Sequence, residues 1–168
     1  MRPISRLLAT VGAVMGVTAL TGTPGAIAAD SPPPAVEDYA YPHADKIYQE
    51  RGIQLKRGDG HIVLVACDNR AGLIEVYARG MQDVDKVGQG KFCFHVSGNS
   101  GYLSLELPRV YGAKGNDYDT SVNMRTGTGS SAEDKSFKLE KNLWTPVGES
   151  ADNPQRREFS LREIVATK

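Results

Sequence analysis

One segment of the chain reads Leu103-Ser104-Leu105-Glu106-Leu107, with a leucine at every second position. Successive side chains of a β-strand point to opposite faces of the sheet, so this alternation predicts a strand with one buried face and one exposed face. Pro108 follows directly and ends the strand or places it at an edge, because proline cannot donate a backbone hydrogen bond. The chain is therefore expected to bury its apolar residues mainly in sheets.

The same period of two recurs on both sides of this segment. In each of two further segments it places three apolar residues on one strand face. The first set is Ile74, Val76 and Ala78, and the second is Phe92, Phe94 and Val96. Glycine-rich turns separate the candidate strands at the spacing typical of a sandwich or a barrel. Residues 42–51 predict a short helix, since Pro42 lies near its start and Gly52 just beyond its end. The expected fold is an all-β sandwich of about eight short, mostly antiparallel strands with one short N-terminal helix.

Residues 1–28 show the order of segments found in a secretory signal peptide. Arg2 and Arg6 precede the uncharged apolar stretch 7–20, and small residues follow as far as Ala28 and Ala29. This order predicts cleavage after Ala28, with Ala29 as the alternative. As a helix the apolar stretch reaches about 21 Å, which is short of the ~30 Å core of a bilayer. We therefore expect a secreted, extracellular protein with no membrane anchor after cleavage.

Three consecutive prolines, Pro32 to Pro34, follow the predicted cleavage site and favour an extended spacer. The remaining chain is long enough to bury a core of its own without a metal or a dense disulfide framework. The expected organisation is a signal peptide at 1–28, a proline-rich spacer at 29–37 and a single β-sandwich domain at 38–168.

Cys67 and Cys93 are the only cysteines, and an even pair in an oxidising destination predicts a disulfide. A catalytic thiol or half of a metal site would need further partners that two separated cysteines do not supply. Cys93 lies on the strand face opposite Phe92 and Phe94, so a bridge through the core is disfavoured. The disulfide is expected to join strand ends or neighbouring strands.

Three stretches of the predicted domain are similar to small exported proteins of filamentous actinobacteria: DYAYPHADKI at 38–47, GIQLKRGDGHI at 52–62 and LSLELPRVY at 103–111. The likeness extends over most of the chain after the signal peptide. That family has no assigned activity, so the resemblance implies a secreted one-domain protein of unknown function and implies no catalytic residue.

The charges of the whole chain balance, with 20 Lys plus Arg against 20 Asp plus Glu. Loss of Arg2 and Arg6 with the signal peptide shifts this balance slightly towards the acids. Nucleic-acid-binding domains carry a basic patch or stripe, and the sequence shows none. We therefore expect no nucleic-acid partner, and no motif indicates a cofactor.

Histidines are the first residues to consider for acid, base or metal chemistry. The three histidines, His43, His61 and His95, form no HExxH or His-x-His spacing, and the chain has no Gly-x-Ser-x-Gly elbow. No catalytic residue is assigned, and an enzyme is not the favoured interpretation. If a histidine acts, His95 is preferred, because Lys91 and Cys93 project from the same face of its strand.

Asn116, Asp117 and Asp119 lie close together, and alternating oxygen-bearing side chains can bind a hard cation such as Ca²⁺. The segment lacks the frame of an EF-hand loop, and Asn and Asp are also common turn residues. A calcium site and a plain turn therefore both remain open.

Aromatic side chains combine an apolar face with a polar rim and can form a stacking surface for sugars. Eight residues enter this set: Tyr39, Tyr41, Tyr48, Tyr77, Tyr102, Tyr111, Tyr118 and Trp144. Tyr77 is expected to be exposed, because Glu75 and Arg79 flank it on the polar face of its strand. Tyr77, His95 and Trp144 are the candidate binding residues.

The leading functional hypothesis is a secreted, non-enzymatic protein that binds an extracellular polymer, a cell-envelope component or another protein. One alternative is a small secreted hydrolase that uses His95 or a pair of acidic residues. Another is a secreted protease inhibitor that presents residues 127–134 as an exposed loop.

Overall fold

The computed structural model describes residues 39–81, 90–127, 131–151 and 157–168. All of them belong to one unit of the chain, Ala35–Lys168. The predicted signal peptide and spacer lie outside the described residues, as does residue 38, at which the predicted domain begins. No helix within the described ranges is long and apolar enough to cross a bilayer.

Two antiparallel β-sheets share one hydrophobic core. The six-stranded sheet contains, in spatial order, β1 (Tyr39–Ala40), β2 (Gln54–Gly58), β6 (Ser100–Leu107), β11 (Phe159–Thr167), β8 (Asp119–Thr126) and β9 (Glu133–Lys138). The five-stranded sheet contains β10 (Trp144–Pro146), β7 (Val110–Lys114), β4 (Leu73–Ala78), β5 (Lys91–Val96) and β3 (Ile62–Val65). The described chain also contains helix α1 (Ala44–Arg51) and a 3-10 helix (Gly148–Ser150).

This arrangement confirms the predicted all-β sandwich with one short N-terminal helix. The described residues form eleven strands, against about eight predicted. The additional strands include the two-residue β1 and β7, whose five residues contain a glycine and show no apolar alternation. These strands exist because neighbouring strands pair with them, which is a long-range effect that local pattern does not report.

The core lies where the sequence alternation places it. Leu103, Leu105 and Leu107 of β6 are fully buried and belong to the same cluster as Phe92 and Phe94 of β5 in the other sheet. Each such side chain contributes roughly 1.5–3 kcal/mol of burial free energy. The intervening residues of both sheets therefore form two outer faces, and these faces carry the polar and aromatic side chains available to a ligand.

Helix α1 ends at the predicted position, because Gly52 adopts a left-handed conformation (φ 70°) and its N–H binds the carbonyl of Tyr48. Ile47 packs against the core. Tyr48 is exposed, since one residue further along a helix is rotated by about 100°.

Cys67 and Cys93 form the predicted disulfide. Cys93 lies in β5, and Cys67 follows the end of the neighbouring strand β3. Both cysteines are buried with Leu73 and Val65 in a small apolar cluster separate from the main core. The bridge thus joins neighbouring strands outside the core, which is the geometry inferred from the orientation of Cys93.

Candidate functional site

The outer face of the five-stranded sheet carries all three candidate binding residues. Tyr77 of β4 lies opposite Gly112 of β7, and Trp144 of β10 lies opposite Lys114 of β7. His95 of β5 is on the same face but further along the sheet. The structure therefore brings Tyr77 and Trp144 together and leaves His95 apart from them.

Trp144 lies over the backbone of Gly112. A Cβ atom at Gly112 would be 1.9 Å from Cζ2 and 2.0 Å from Cη2 of the indole, so the ring occupies space that any other residue would fill. Trp144 nevertheless remains 46% exposed. The indole is thus supported from below by the sheet and open to solvent above it.

Two tyrosines hold the indole from the side. The Tyr77 ring meets Trp144 edge-on at a centroid distance of 4.8 Å, and the Tyr111 ring lies 6.0 Å from Trp144. Tyr77 and Tyr111 are themselves 6.3 Å apart. Edge-on and tilted pairs at these distances attract one another beyond simple burial, so the three rings form a rigid unit. We call Tyr77, Tyr111 and Trp144 the aromatic cluster.

A hydrogen-bonded carboxylate anchors Tyr77 within this unit. The Tyr77 hydroxyl donates to Glu75 at 2.6 Å, and Nζ of Lys91 lies 2.9 Å from the same oxygen of Glu75. Burial, followed by the bond to the Glu75 carboxylate, raises the pKa of Tyr77 well above its ordinary value. The phenol therefore stays protonated and continues to donate.

Glu75 is held as a carboxylate. Burial alone would raise the pKa of Glu75, but the bonds from Tyr77 and Lys91 and the charges of Lys91 and Lys114 outweigh it, so the pKa falls below its ordinary value of 4.5. Lys114 is the more distant cation, with Nζ 3.8 Å from Glu75. The charge on Glu75 thus holds both the Tyr77 hydroxyl and two lysines next to the aromatic cluster.

Replacing Glu75 by glutamine is expected to remove part of the acid sensitivity of the fold. Because the folded-state pKa of Glu75 lies below 4.5, its contribution to stability is complete above about pH 4.5 and is lost as the pH falls through the folded-state value. The difference in unfolding free energy between wild type and E75Q should therefore shrink below pH 4.5. Urea unfolding at a series of pH values measures it.

Glu50→Gln provides the control, since Glu50 belongs to an exposed pair with Lys46 on α1. This variant should follow the wild type throughout the series. A gap between wild type and E75Q that stays constant with pH would show that Glu75 does not have the assigned role.

Arg79 covers the other end of the aromatic cluster. Its guanidinium lies 5.4 Å above the Tyr111 ring, and its Nε is 3.2 Å from Glu149 in the 3-10 helix. The Ser150 hydroxyl of that helix donates to the backbone carbonyl of Tyr111. The 3-10 helix thus ties Arg79 and Tyr111 into the same surface.

His95 has no acid-base partner among the residues that the structure describes. Its cross-strand neighbours on either side are Val63 and Leu73, which are both apolar. His95 lies opposite Leu73 at one end of β4, whereas Tyr77 of the aromatic cluster lies opposite Lys91 at the other end of β5. A catalytic histidine needs a carboxylate or a nucleophile within hydrogen-bond reach, so this placement gives no support to the hydrolase alternative.

Two glutamates, Glu106 and Glu163, lie on the outer face of the six-stranded sheet. Glu106 is bound by Lys56 Nζ at 3.0 Å and by Arg162 Nη1 at 2.7 Å. The hydrogen bond from Lys56, together with the charges of both cations, lowers the pKa of Glu106 against the opposing effect of burial. Glu163 accepts hydrogen bonds from neutral groups, the Tyr102 hydroxyl and the Asn123 amide. A glycosidase needs a general acid with a raised pKa, and Glu106 is shifted the opposite way.

The residues proposed for calcium are bound to other protein groups. The buried Asn116 amide donates to the carbonyl of Gly72 and accepts from the N–H of Tyr118, as in a structural turn. Asp117 accepts from Asn142, and Asp119 pairs with Lys138 and Lys141, chiefly the latter, which lowers the pKa of Asp119. The calcium site stays a prediction, and these contacts lend it no support.

Sequence reasoning assigned no role to Gly112 and named Tyr111 only among the eight aromatic residues. Both lie in β7, one of the strands that were not predicted, and both lie next to the indole of Trp144. Their only sequence signal is an aromatic residue followed by glycine, which is too common to indicate a site.

Comparison with known proteins adds no relationship. No protein-family model matches the chain. A search of curated proteins likewise finds no match. The function therefore has to be argued from the surface itself.

Proposed function

We propose that this chain is a secreted, non-enzymatic protein that binds an extracellular polymer, a cell-envelope component or another protein through the aromatic cluster. The observation that carries the proposal is the half-exposed indole of Trp144, fixed over Gly112 and braced by Tyr77. Large aromatic side chains with a fixed geometry bind ligands with little loss of conformational entropy.

The position of the cluster on strands supports a binding role. Tyr77, Tyr111 and Trp144 come from three neighbouring strands of one sheet, so backbone pairing sets their spacing before any ligand arrives. Sites built on strands are more precisely positioned than sites on loops. A preformed surface of this kind is typical of recognition and does not require a reactive group.

Secretion is supported by two independent features. The order of segments in residues 1–28 is that of a signal peptide. The Cys67–Cys93 disulfide fits an oxidising compartment, because cytosolic thiols are kept reduced. The protease-inhibitor alternative gains no such support, since its loop includes residues 128–130, which lie outside the described part of the chain.

The single tryptophan of the chain makes the proposal directly testable. Purified protein should be retained by at least one ligand in a panel of cell wall, chitin, cellulose and culture secretome, and that ligand should change the fluorescence of Trp144. Trp144→Ala is expected to weaken retention roughly tenfold or more, as for an aromatic residue at the centre of an interface.

Tyr48→Ala is the matched control, because Tyr48 is an exposed aromatic residue on α1. It should leave retention unchanged. Retention that survives Trp144→Ala, or no retention by any member of the panel, would contradict the proposed site.

A further inference from the structure

The charged groups around the aromatic cluster are unequally exposed. Arg79 is 64% exposed while its partner Glu149 is 14% exposed. Lys114 is 42% exposed while its partner Glu75 is 14% exposed. Lys91, the other partner of Glu75, is itself only 16% exposed, so the charges that a ligand approaching Trp144 meets are those of Arg79 and Lys114.

This local asymmetry does not follow from the composition, because the chain as a whole has as many acidic as basic residues. It arises from the register of the strands, which places Glu75 beside Lys114, and from the 3-10 helix, which carries Glu149, and both acids are less exposed than their partners. Exposed cations whose paired acids are less accessible retain hydrogen-bond donors for an incoming anion.

The two accessible cations flank the cluster along the strand direction. Lys114 lies opposite Trp144, whereas Arg79 follows Ala78, which pairs with Val110 at the other end of β7. Four residues of strand separate Lys114 from Val110, or roughly 14 Å. A polymer that runs along the strand direction can contact the indole and both cations with successive units.

The orientation of Trp144 favours a sugar over a protein partner. Aromatic anchors of protein interfaces project into pockets of the partner. Trp144 instead packs over Gly112 of its own sheet, and an aromatic ring combines an apolar surface with a polar rim that is suited to the C–H face of a pyranose ring.

We propose that the ligand is an anionic glycan, whose sugar ring stacks on Trp144 and whose negatively charged substituents pair with Arg79 and Lys114. This inference rests on the proposed function and adds the chemical class of the ligand. The shared chemistry is a pyranose polymer that carries carboxylate, sulfate or phosphate groups.

Four polymers separate the elements of this proposal: polygalacturonate, dextran sulfate, neutral dextran and poly-glutamate. Titrations of the full chain follow Trp144 fluorescence, and affinity electrophoresis is used for variants that lack the tryptophan. At low salt the two anionic glycans should bind roughly tenfold more tightly than neutral dextran, and added salt should reduce the difference. Their relative affinities identify the preferred anionic group.

The double variant Arg79→Ala with Lys114→Ala should reduce binding of the anionic glycans roughly tenfold more than it reduces binding of neutral dextran. Trp144→Ala should weaken binding of every glycan. Lys46→Ala with Lys138→Ala is the control, because both lysines are exposed and ion-paired. They lie on α1 and β9, which are not part of the five-stranded sheet that carries the aromatic cluster. This control should behave as the wild type.

Three results would overturn the inference. In the first, neutral dextran binds as tightly as the anionic glycans, and the Arg79 and Lys114 changes have no effect. This result would exclude an anionic ligand. The proposed function would stand if Trp144→Ala still abolished binding. In the second, poly-glutamate binds as tightly as polygalacturonate and does so without Trp144. Binding would then be due to charge alone. In the third, the chain captures a protein through Trp144 and binds no glycan. The proposed binding surface would then stand, and the proposal of a glycan ligand would be refuted.

Discussion

Replacing both Cys67 and Cys93 by alanine is expected to lower the free energy of unfolding by about 3.5 kcal/mol. The bridge closes a loop with a sequence separation of 26 residues, and the chain-entropy relation gives this value for the lost constraint on the unfolded chain. Alanine is chosen because both sulphur atoms lie in an apolar cluster with Leu73 and Val65, where a serine hydroxyl would add a separate burial cost.

Urea unfolding of the double variant beside the wild type measures the effect, with the reduced wild type as a second comparison. The disulfide lies at the β3 edge of the sheet and Trp144 at the opposite, β10 edge. The folded variant should therefore keep the ligand affinity of the wild type. A loss of stability below about 1 kcal/mol would mean that the unfolded chain is already restricted in this region.

The main strands were predictable because their side chains alternate. In β6, leucines occupy every second position, so a pattern confined to one segment specifies both the strand and its buried face. β7 has no such pattern: Val110-Tyr111-Gly112-Ala113-Lys114 contains a glycine and two successive buried residues. Its strand conformation depends on pairing with β4 and β10, which lie far away in the sequence.

The candidate site was likewise predictable only in part, because local pattern identifies single residues and not the contacts between distant strands. Trp144 was chosen by residue type and is exposed, whereas Tyr77, which was expected to be exposed, is half-buried because Trp144 and Glu75 pack against it. Their contact could not be predicted, because it passes through Gly112 in the strand that was missed. The covered state of Glu75 and Glu149 is likewise a result of packing, and residue counts carry no information about it.

Local spacing could not decide between a metal site and a turn. The spacing of Asn116, Asp117 and Asp119 allows a cation site, but it is equally compatible with a turn. Only the folded chain shows that the Asn116 amide binds Gly72, which lies in a different turn of the sandwich. Oxygen-bearing residues that stabilise loops have the same sequence appearance as residues that bind ions.

Gly112→Val is expected to disrupt the binding surface while leaving the fold assembled. Gly112 does not have a positive φ, so its backbone accepts a side chain, and the obstacle is the indole of Trp144 at 1.9 Å from the new Cβ. The ring is half exposed and can swing towards solvent, so the free energy of unfolding should fall by only about 1–3 kcal/mol. Ligand affinity should fall as much as in Trp144→Ala, because the indole loses its support.

A double-mutant cycle distinguishes this cause from a general disturbance of β7. In the Trp144→Ala background the obstructing ring is absent, so Gly112→Val should be neutral or stabilising by up to about 1 kcal/mol, since valine favours strands more than glycine does. Urea unfolding of the four proteins gives the coupling energy, and a shift of Trp144 emission in Gly112→Val reports the displaced ring. If valine is equally destabilising in both backgrounds, Gly112 is small for a reason unrelated to Trp144, and the support assigned to the aromatic cluster is wrong.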